Sequence, residues 1–255
     1  MSQDKVLLQA DNVSRHYGDF IALENVNLSV SAGEFVAVVG PNGAGKTTLV
    51  NVLTGLHKPT NGTVRFDGSD ISGVSAVDLA TRGLARAFQL MSVFPDLTVK
   101  ETIAVAATSY LNIRRNVFGT LFGNTKVNEI VTRTAKAFGL TPWLDTKASS
   151  LPHGRRKLLD VASAFALHPK LMLLDEPTAG VSTADKHGVM ETLLNAANDM
   201  GIEAIILVEH DMDLVSRYSS RIIAMQLGKK IADLPRDDFF ANEEVMSIVV
   251  GKGVH

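Results

Sequence analysis

A glycine-rich segment near the N-terminal third of the chain contains the residue types that bind phosphates. It reads Gly40, Pro41, Asn42, Gly43, Ala44, Gly45, Lys46, Thr47 and Thr48, and its first eight residues match G-x-x-x-x-G-K-T. Glycines at positions 43 and 45 let the backbone curl so that several N–H groups point at a polyphosphate. The Lys46 ammonium adds a positive charge against the β and γ phosphates, and the Thr47 hydroxyl is a ligand for Mg²⁺. The segment predicts a site for a nucleoside triphosphate, without choosing between a kinase, a GTPase and a motor.

Two acidic residues at the end of an apolar run supply further chemistry. Asp175 and Glu176 follow Leu171–Leu174, which is typical of a buried strand. Ligands of α/β sheets bind at the carboxyl ends of the strands. We therefore expect Asp175 to hold Mg²⁺ through its water shell and Glu176 to deprotonate the attacking water. The alternative for an Asp-Glu pair is a capping role at the start of the next helix.

Two more polar residues stand where the character of the sequence changes. His210 follows the apolar run Ile205–Val208 and Glu209 at the end of another predicted strand, a position that favours contact with the γ-phosphate and orientation of water over the structural role usual for a lone histidine. Gln89 stands where strand and turn sequence gives way to a helical section, and it is a candidate ligand of Mg²⁺ or water. An ordinary surface glutamine is the alternative reading of that position.

The elements that must position these groups alternate between strands and helices. Apolar, β-branched runs predict strands covered on both faces, whereas apolar residues three and four apart predict helices. The predicted elements after residue 34 are a strand at Phe35–Val39, a helix with an apolar stripe at Leu49, Val52, Leu53 and Leu56 closed by Lys58-Pro59, a helix over about Asp78–Arg86, a helical stripe at Val127, Ile130, Val131, Thr134 and Phe138, a strand at Leu171–Leu174, a helix over about His187–Met200, and strands at Ala204–Val208 and Ile222–Met225. The first thirty residues read as short strands, and the strand signal disappears from about Gln89 to Ala166. This order favours an α/β core with a parallel sheet.

Composition excludes several classes of protein. The chain has 255 residues, a formal net charge of −2 and no cysteine, so no strongly basic field calls for nucleic acid and no disulfide or thiolate metal site exists. The apolar stretch Leu158–Leu174 is interrupted by charged residues, and a membrane span needs about 20 apolar residues. We expect the protein to reach a membrane only by docking on another protein.

In their order and spacing these motifs resemble the ABC ATPase family over nearly the whole chain. The resemblance implies that the aromatic ring of Tyr17 stacks on the adenine of ATP, that Gln89 is the Q-loop residue, that Glu176 is the catalytic base and that His210 is the switch histidine. It implies an α/β fold with a P-loop NTPase (RecA-like) core, an N-terminal antiparallel β subdomain and an inserted α-helical subdomain. The implied single ABC ATPase domain covers 1–255, with the core at 1–88 and 167–230, the helical subdomain at 89–166 and a C-terminal extension at 231–255. Two such domains sandwich two ATP molecules.

The signature segment departs from the family pattern Leu-Ser-Gly-Gly-Gln. Residues Leu151–Arg155 read Leu-Pro-His-Gly-Arg, and Pro152 has neither a hydroxyl nor an N–H to donate. The groups left to attract the phosphate of an opposite site are the N–H groups around Gly154, the N-terminus of the next predicted helix and the cations Arg155, Arg156 and Lys157. His153, Gly154 and Arg155 are the candidate binding residues of this segment. The family's aspartate in the loop after the Asp-Glu pair falls at Ser182.

Several runs are similar to the motor subunits of branched-chain amino acid importers. They are Glu176–Val181, Glu209–Met212, Tyr110–Asn124 and Glu244–Gly251. The resemblance implies ATP and Mg²⁺ as cofactors, transmembrane permease subunits and a second ABC ATPase subunit as partners, an indirect link to a periplasmic solute-binding protein, and a place at the cytoplasmic face of the inner membrane. Leu90–Thr102 and Leu111–Phe122 are the candidate contacts with the membrane subunits, or else pack the helical subdomain itself. A lipid or lipopolysaccharide exporter, a soluble ABC ATPase and an inactive regulatory cassette are the competing interpretations.

Overall fold

The computed structural model describes residues 5–87, 95–111 and 123–251, and these residues form two compact units. The first unit comprises the described residues of Met1–Leu79, Leu173–Glu176 and Glu203–His255, and the second those of Ala80–Met172 and Pro177–Ile202. The division into a core, a helical subdomain over 89–166 and a C-terminal extension stays a prediction.

The first unit begins with an antiparallel sheet whose strand order is β2-β1-β4-β5. Its strands are β1 (Val6–Tyr17), β2 (Phe20–Ser31), β4 (Asn61–Phe66) and β5 (Ser69–Asp70). The N-terminal antiparallel sheet is confirmed, but its first two strands have 12 residues each and are not short. Register shifts interrupt their pairing, as between Ala10 and Val13, and such bulges break the regular alternation that would have marked long strands.

A parallel core follows in the same unit. Strand β3 (Phe35–Val39) lies between β8 (Ala204–Val208) and β9 (Arg221–Gln226) and pairs with both in parallel. Beyond β8 lies β7 (Leu171–Asp175), which continues from the second unit, and β10 (Lys229–Pro235) closes the other side. All five residues of β8 are buried, as the continuous apolar run predicted. The α/β core with a parallel sheet is thereby confirmed.

Three predicted helix bounds differ from the structure. Helix α1 (Lys46–Leu53) ends before Leu56, which is exposed. Helix α2 is Ala76–Arg82, and Gly83 ends it at φ +98°, so the last residues of the predicted helix form the strand β6 (Leu84–Ala87). Helix α6 (Thr183–Met200) begins four residues earlier than predicted. Ser182 stands at its N-cap without a side-chain bond to the helix backbone, and its hydroxyl donates to the Asp185 carboxylate at 2.6 Å.

The second unit is mainly helical. Its described helices are α3 (Val99–Tyr110), α4 (Thr125–Ala137), α5 (His153–Phe165) and α6, with short 3₁₀ turns at Thr141–Trp143 and Ala148–Ser150. The predicted apolar stripe of α4 is buried at Val127, Val131, Thr134 and Phe138. Near the edge of this unit, the Leu171 N–H donates to the Gly83 carbonyl at 3.0 Å, which places β6 beside the start of β7.

The C-terminal residues pack on the parallel core of the first unit. Helices α7 (Met212–Tyr218), α8 (Arg236–Ala241) and α9 (Glu243–Val250) complete the element order. Phe239 and Val245 join a buried cluster with Ala37 and Val39 of β3. Within the described ranges, no helix combines the length and the apolar character that crossing a bilayer requires.

Candidate active site

The glycine-rich loop joins the end of β3 to the start of α1. Gly45 is the N-cap of α1 at φ +97°, and no side chain caps the helix. The first N–H groups of α1 are therefore available to an anion, which the positive end of the helix dipole also attracts. A Cβ atom on Gly40 would overlap the Met225 carbonyl oxygen, and one on Gly45 would lie 2.8 Å from the Ala22 oxygen. The loop is thus a backbone cradle that only glycine can build at these two positions, and it fits a polyphosphate.

Lys46 is held over this cradle. Its Nζ donates to the Gly40 carbonyl at 2.6 Å and to the Pro41 carbonyl at 3.0 Å. Partial burial lowers the pKa of Lys46 from its ordinary value, while the charges of Glu176 and Asp175 oppose that change. Phosphate oxygens would compete with the two carbonyls for the same ammonium group.

The two acids lie at the carboxyl end of β7, as predicted. Asp175 is the last residue of the strand and is half-buried. Glu176 follows it with φ +47°, a left-handed conformation that is uncommon outside glycine, and its N–H donates to the Val208 carbonyl at 2.9 Å. Such a conformation costs about 1–3 kcal/mol and recurs at active sites. The bond to Val208 holds the Glu176 backbone beside the end of β8.

His210 stands next to Glu176. Its Nδ1 lies 3.7 Å from Glu176 Oε1 and 3.8 Å from Glu209 Oε2. The Glu209 side chain is only 1% exposed, and its Oε2 accepts a hydrogen bond from the His210 N–H at 3.1 Å. The imidazole itself is 63% exposed and so can reach a ligand.

Glu209 was missed by the sequence analysis. A carboxylate directly after five buried strand residues was the available signal, because burying a charge is costly unless it is paired. Its contacts with the His210 backbone and ring make it a positioning residue for the histidine.

The oxygen donors near the cradle suit Mg²⁺. The Thr47 hydroxyl belongs to an exposed residue, and Asp175 is half-buried. Among the described residues there is no group of three or more His, Asp or Glu side chains that could hold a metal ion. One hydroxyl and one carboxylate match the way Mg²⁺ binds beside substrate phosphates, where it keeps several waters. The third predicted ligand, Gln89, lies outside the described residues.

Tyr17 ends β1 at the tip of the hairpin with β2. The residue is 41% exposed, and the Arg15 guanidinium carbon lies 4.5 Å from the ring centroid. The His57 ring is nearly perpendicular to it, at 84° and 5.9 Å between centroids. Tyr17 belongs to the same unit as the phosphate cradle.

A second residue that the sequence analysis missed is Gly228, in the turn between β9 and β10. Its N–H donates to the Ala44 carbonyl of the cradle at 3.0 Å, and its own carbonyl accepts from the Glu24 N–H at 2.9 Å. Its φ is +78°, and a Cβ atom there would lie 2.8 Å from the Ala22 oxygen. The turn glycine was visible in the sequence, but its contact with a loop over 180 residues away was not.

The signature segment lies in the second unit, at the start of α5. Pro152 is the N-cap, no side chain caps the helix, and its first turn has no acid. The His153 ring packs on Gly180, where an added Cβ atom would lie 2.9 Å from His153 Cε1. His153, Gly154 and Arg155 line a cavity of about 490 Å³ together with residues of α6, among them Asp185.

Comparisons with known proteins agree with this geometry. Residues 23–179 match the family model described as ABC transporter. The chain belongs to the ABC transporter family. This ABC cassette is similar to the high-affinity branched-chain amino acid transport ATP-binding protein BraF of Pseudomonas aeruginosa, at 29% identity over 96% of this chain and 98% of that protein. It is also similar to a probable branched-chain amino acid transport ATP-binding protein, LivG, of Archaeoglobus fulgidus, at 32% identity over 96% of this chain and 95% of that protein.

Solved structures give the same assignment. The ADP conformation of an ATP-binding cassette of an ABC transporter superposes on this cassette with a TM-score of 0.80, at 27% identity, covering 97% of this chain and 99% of that one. The predicted fold class is confirmed, and the chain is a nucleotide-binding ABC ATPase. Within it the structure places Lys46, Asp175, Glu176 and His210 in one unit, whereas His153, Gly154 and Arg155 lie in the other.

Proposed function

We propose that this ABC cassette is the ATPase subunit of an importer for a small solute of the branched-chain amino acid, urea, amide or aromatic acid type. The observation that carries the proposal is the end-to-end alignment with relatives named as branched-chain amino acid transport ATP-binding proteins. Because the solute would be chosen by other subunits, the proposal names a class of solute and not one compound.

The proposed partners follow from what an importer requires. They are transmembrane permease subunits, a second ABC ATPase subunit of the same or another kind, and, indirectly, a periplasmic solute-binding protein. The proposed place of the chain is the cytoplasmic face of the inner membrane, as a peripheral subunit. The net charge of −2 supports protein partners over nucleic acid.

Binding of ATP is assigned to the first unit. The cradle N–H groups and Lys46 would hold the β and γ phosphates, while Tyr17 stacks on the adenine. Thr47 and Asp175 would hold Mg²⁺, with Gln89 as a further ligand. When bound, Mg²⁺ neutralises charge that develops on the phosphate oxygens.

Hydrolysis is assigned to Glu176 and His210. Glu176 would accept the proton of the water that attacks the γ-phosphorus, with its backbone held after β7 by the hydrogen bond to the Val208 carbonyl. His210, whose Nδ1 is 3.7 Å from Glu176 Oε1, would orient that water and contact the γ-phosphate. Glu209 holds the histidine backbone in place.

The signature segment would serve an ATP held by the second cassette. Gly154 offers a backbone N–H, and His153 and Arg155 offer side-chain donors at a helix N-terminus without an acidic first turn. These donors would replace the hydroxyl that Pro152 lacks.

The first experiment measures steady-state ATPase activity of the purified chain against protein concentration. Glu176→Gln is expected to bind ATP and hydrolyse it at least about 100-fold more slowly, because it lacks the base. Lys46→Ala is the control that should lose most ATP affinity. Undiminished turnover in Glu176→Gln would contradict the assignment of the base.

The concentration dependence tests the second cassette. A rate per chain that rises with concentration and vanishes in Glu176→Gln would mean that two copies of this chain complete the sites despite Pro152. Bound ATP without activity at any concentration would mean that a different ATPase or the membrane subunits supply the missing groups.

Uptake by cells that carry this gene tests the importer. Labelled leucine, urea, an aliphatic amide and an aromatic acid would be followed in cells with the wild-type chain and with Glu176→Gln. Loss of uptake of one of these solutes in the variant is expected. Equal uptake of all four would argue against this class of importer.

A further inference from the structure

The ring of Tyr17 is held by an arginine that no motif singles out. The Arg15 guanidinium carbon lies 4.5 Å from the centre of the Tyr17 ring, and Arg15 Nη1 donates to the Lys58 carbonyl at 3.0 Å. Arg15 Nε is buried and has no hydrogen-bond partner in the structure. Burying an N–H group without a hydrogen-bond acceptor costs free energy. The cation–π contact with the Tyr17 ring offsets part of that cost.

Arg15 and Tyr17 stand two residues apart near the end of β1. Although the pairing of β1 with β2 shifts register between Arg15 and His16, the 4.5 Å contact shows that the two side chains lie on the same side. A guanidinium group is planar and always charged, and it stacks on an aromatic face in a way that a lysine ammonium cannot. Arg15 therefore covers one face of Tyr17, and a base that stacks on the ring must use the other.

The same arginine connects the ring to the helix of the phosphate cradle. Lys58 follows α1, and the neighbouring His57 N–H donates to the Asn51 carbonyl within α1 at 3.0 Å. The next contact along this segment returns to β1, where the Thr60 N–H donates to the Ser14 carbonyl at 2.8 Å. The Tyr17 ring, which is proposed to contact the adenine, is thus connected through Arg15 to the segment after α1. The N-terminal end of α1 begins at Lys46 in the phosphate cradle.

We propose that Arg15 is a positioning residue that orients Tyr17 for the adenine base and fixes its distance from the phosphate cradle. The proposal rests on the proposed stacking of Tyr17 on adenine. Its signature is selective: removing Arg15 weakens the binding of nucleotides that carry a base and leaves a bare triphosphate chain unaffected.

The test measures dissociation constants of ATP and of tripolyphosphate, each with Mg²⁺, by isothermal titration calorimetry. Arg15→Ala is expected to weaken ATP binding by about three- to tenfold, the range of a partly exposed cation–π contact, without changing tripolyphosphate binding. Arg15→Lys keeps the charge but not the planar stack, so it should restore only part of the loss.

Arg65→Ala is the matched control. Arg65 lies on β4 of the same antiparallel sheet and pairs with the Asp11 carboxylate at 2.9 Å. Because that pair is exposed and Arg65 is assigned no role at the site, its replacement should leave both constants unchanged.

A double-variant cycle separates the proposal from the function on which it rests. In a Tyr17→Ala background, Arg15→Ala should have no further effect on ATP, because the ring that it positions is gone. Equal weakening of ATP and tripolyphosphate, or additive losses in the double variant, would overturn the proposal. If ATP affinity falls in Tyr17→Ala but not in Arg15→Ala, the proposal for Arg15 is wrong while adenine stacking on Tyr17 stands. If ATP affinity does not fall in Tyr17→Ala, adenine stacking is removed from the proposed function as well.

Discussion

Replacing Arg221 with alanine would remove the cation at the centre of a partly buried network in the first unit. Arg221, in β9, donates from Nε and Nη2 to the two oxygens of Asp233 in β10 at 2.7 and 3.0 Å. Its Nη1 donates to Glu34 Oε1 at 3.0 Å, before β3, and to the Ser29 carbonyl of β2 at 3.1 Å. One side chain thereby joins four segments, and two of its partners are carboxylates.

The expected loss of stability follows from how deeply the three charged side chains are buried. The side chains of Arg221, Glu34 and Asp233 are 24%, 26% and 16% exposed. Removing one partner of a fully buried ion pair costs about 3–5 kcal/mol, and this exposure reduces the expected cost to about 2–3 kcal/mol. Lys230 Nζ, 2.7 Å from Asp233 Oδ2, keeps one carboxylate paired in the variant. A loss of this size lowers the Tm by roughly 4–12 °C in a chain of this length.

The assay is thermal and urea unfolding of the wild type and Arg221→Ala. Arg236→Ala is the control, because its ion pair with Asp237 has a similar distance of 2.9 Å but side chains that are 43% and 84% exposed. It should change the free energy of unfolding by at most about 0.5 kcal/mol. Equal stabilities of the two variants would refute the reasoning from burial.

The pH dependence gives a second check. Burial alone would raise the pKa of Asp233, but hydrogen bonds from Arg221 and Lys230 hold it below its ordinary value. A carboxyl group with a depressed pKa in the folded state contributes its full stability above the unfolded pKa of about 3.9 and loses it as the pH falls through the folded pKa. The difference in free energy of unfolding between the wild type and Arg221→Ala should therefore be constant near neutral pH and shrink below about pH 4. A difference that disappears near neutral pH would contradict the depressed pKa of Asp233.

Two glycine substitutions test other contacts. Gly228→Ala should weaken ATP binding by about tenfold relative to the control Gly68→Ala. Both residues have φ +78°, but only a Cβ atom at Gly228 meets a backbone atom, the Ala22 oxygen. Equal ATP affinities of the two variants in calorimetry would count against support of the cradle by the turn at Gly228. Gly180→Ala should displace the His153 ring, since the new Cβ atom lies 2.9 Å from it, and so lower turnover at high protein concentration while ATP affinity changes less than about twofold. Unchanged turnover would argue against His153 at a shared site.

Elements with continuous apolar sequence were predicted well because burial on both faces is visible locally. The strand at Ala204–Val208 has the predicted bounds, and β7 extends its prediction by one residue. Strand β6 was predicted as part of a helix, since Leu-Ala-Arg-Ala has good helix formers. It is an edge strand whose pairing depends on β7, and a contact across more than 80 residues overrides local propensity.

The same distinction separates the site residues. Lys46 and Glu176 were singled out in the sequence because each stands in a short motif whose chemistry is local. Arg15, Glu209 and Gly228 were not, because the roles proposed for them rest on contacts: with Lys58, with the ring and backbone of His210, and with Ala44. No spacing in the sequence records which turn supports a loop or which arginine covers a ring.

The geometry of the proposed base depends on the sheet as much as on the residue. Glu176 keeps a left-handed φ of +47° while its N–H is bonded to Val208 at the end of β8. That strand also carries the chain to Glu209 and His210, so a displacement of β8 relative to β7 would change the distance between the histidine and the carboxylate. The 3.7 Å separation of His210 Nδ1 from Glu176 Oε1 is therefore a property of two adjacent strand ends, and substitutions that loosen β8 should slow hydrolysis more than they weaken ATP binding, which rests on the cradle after β3.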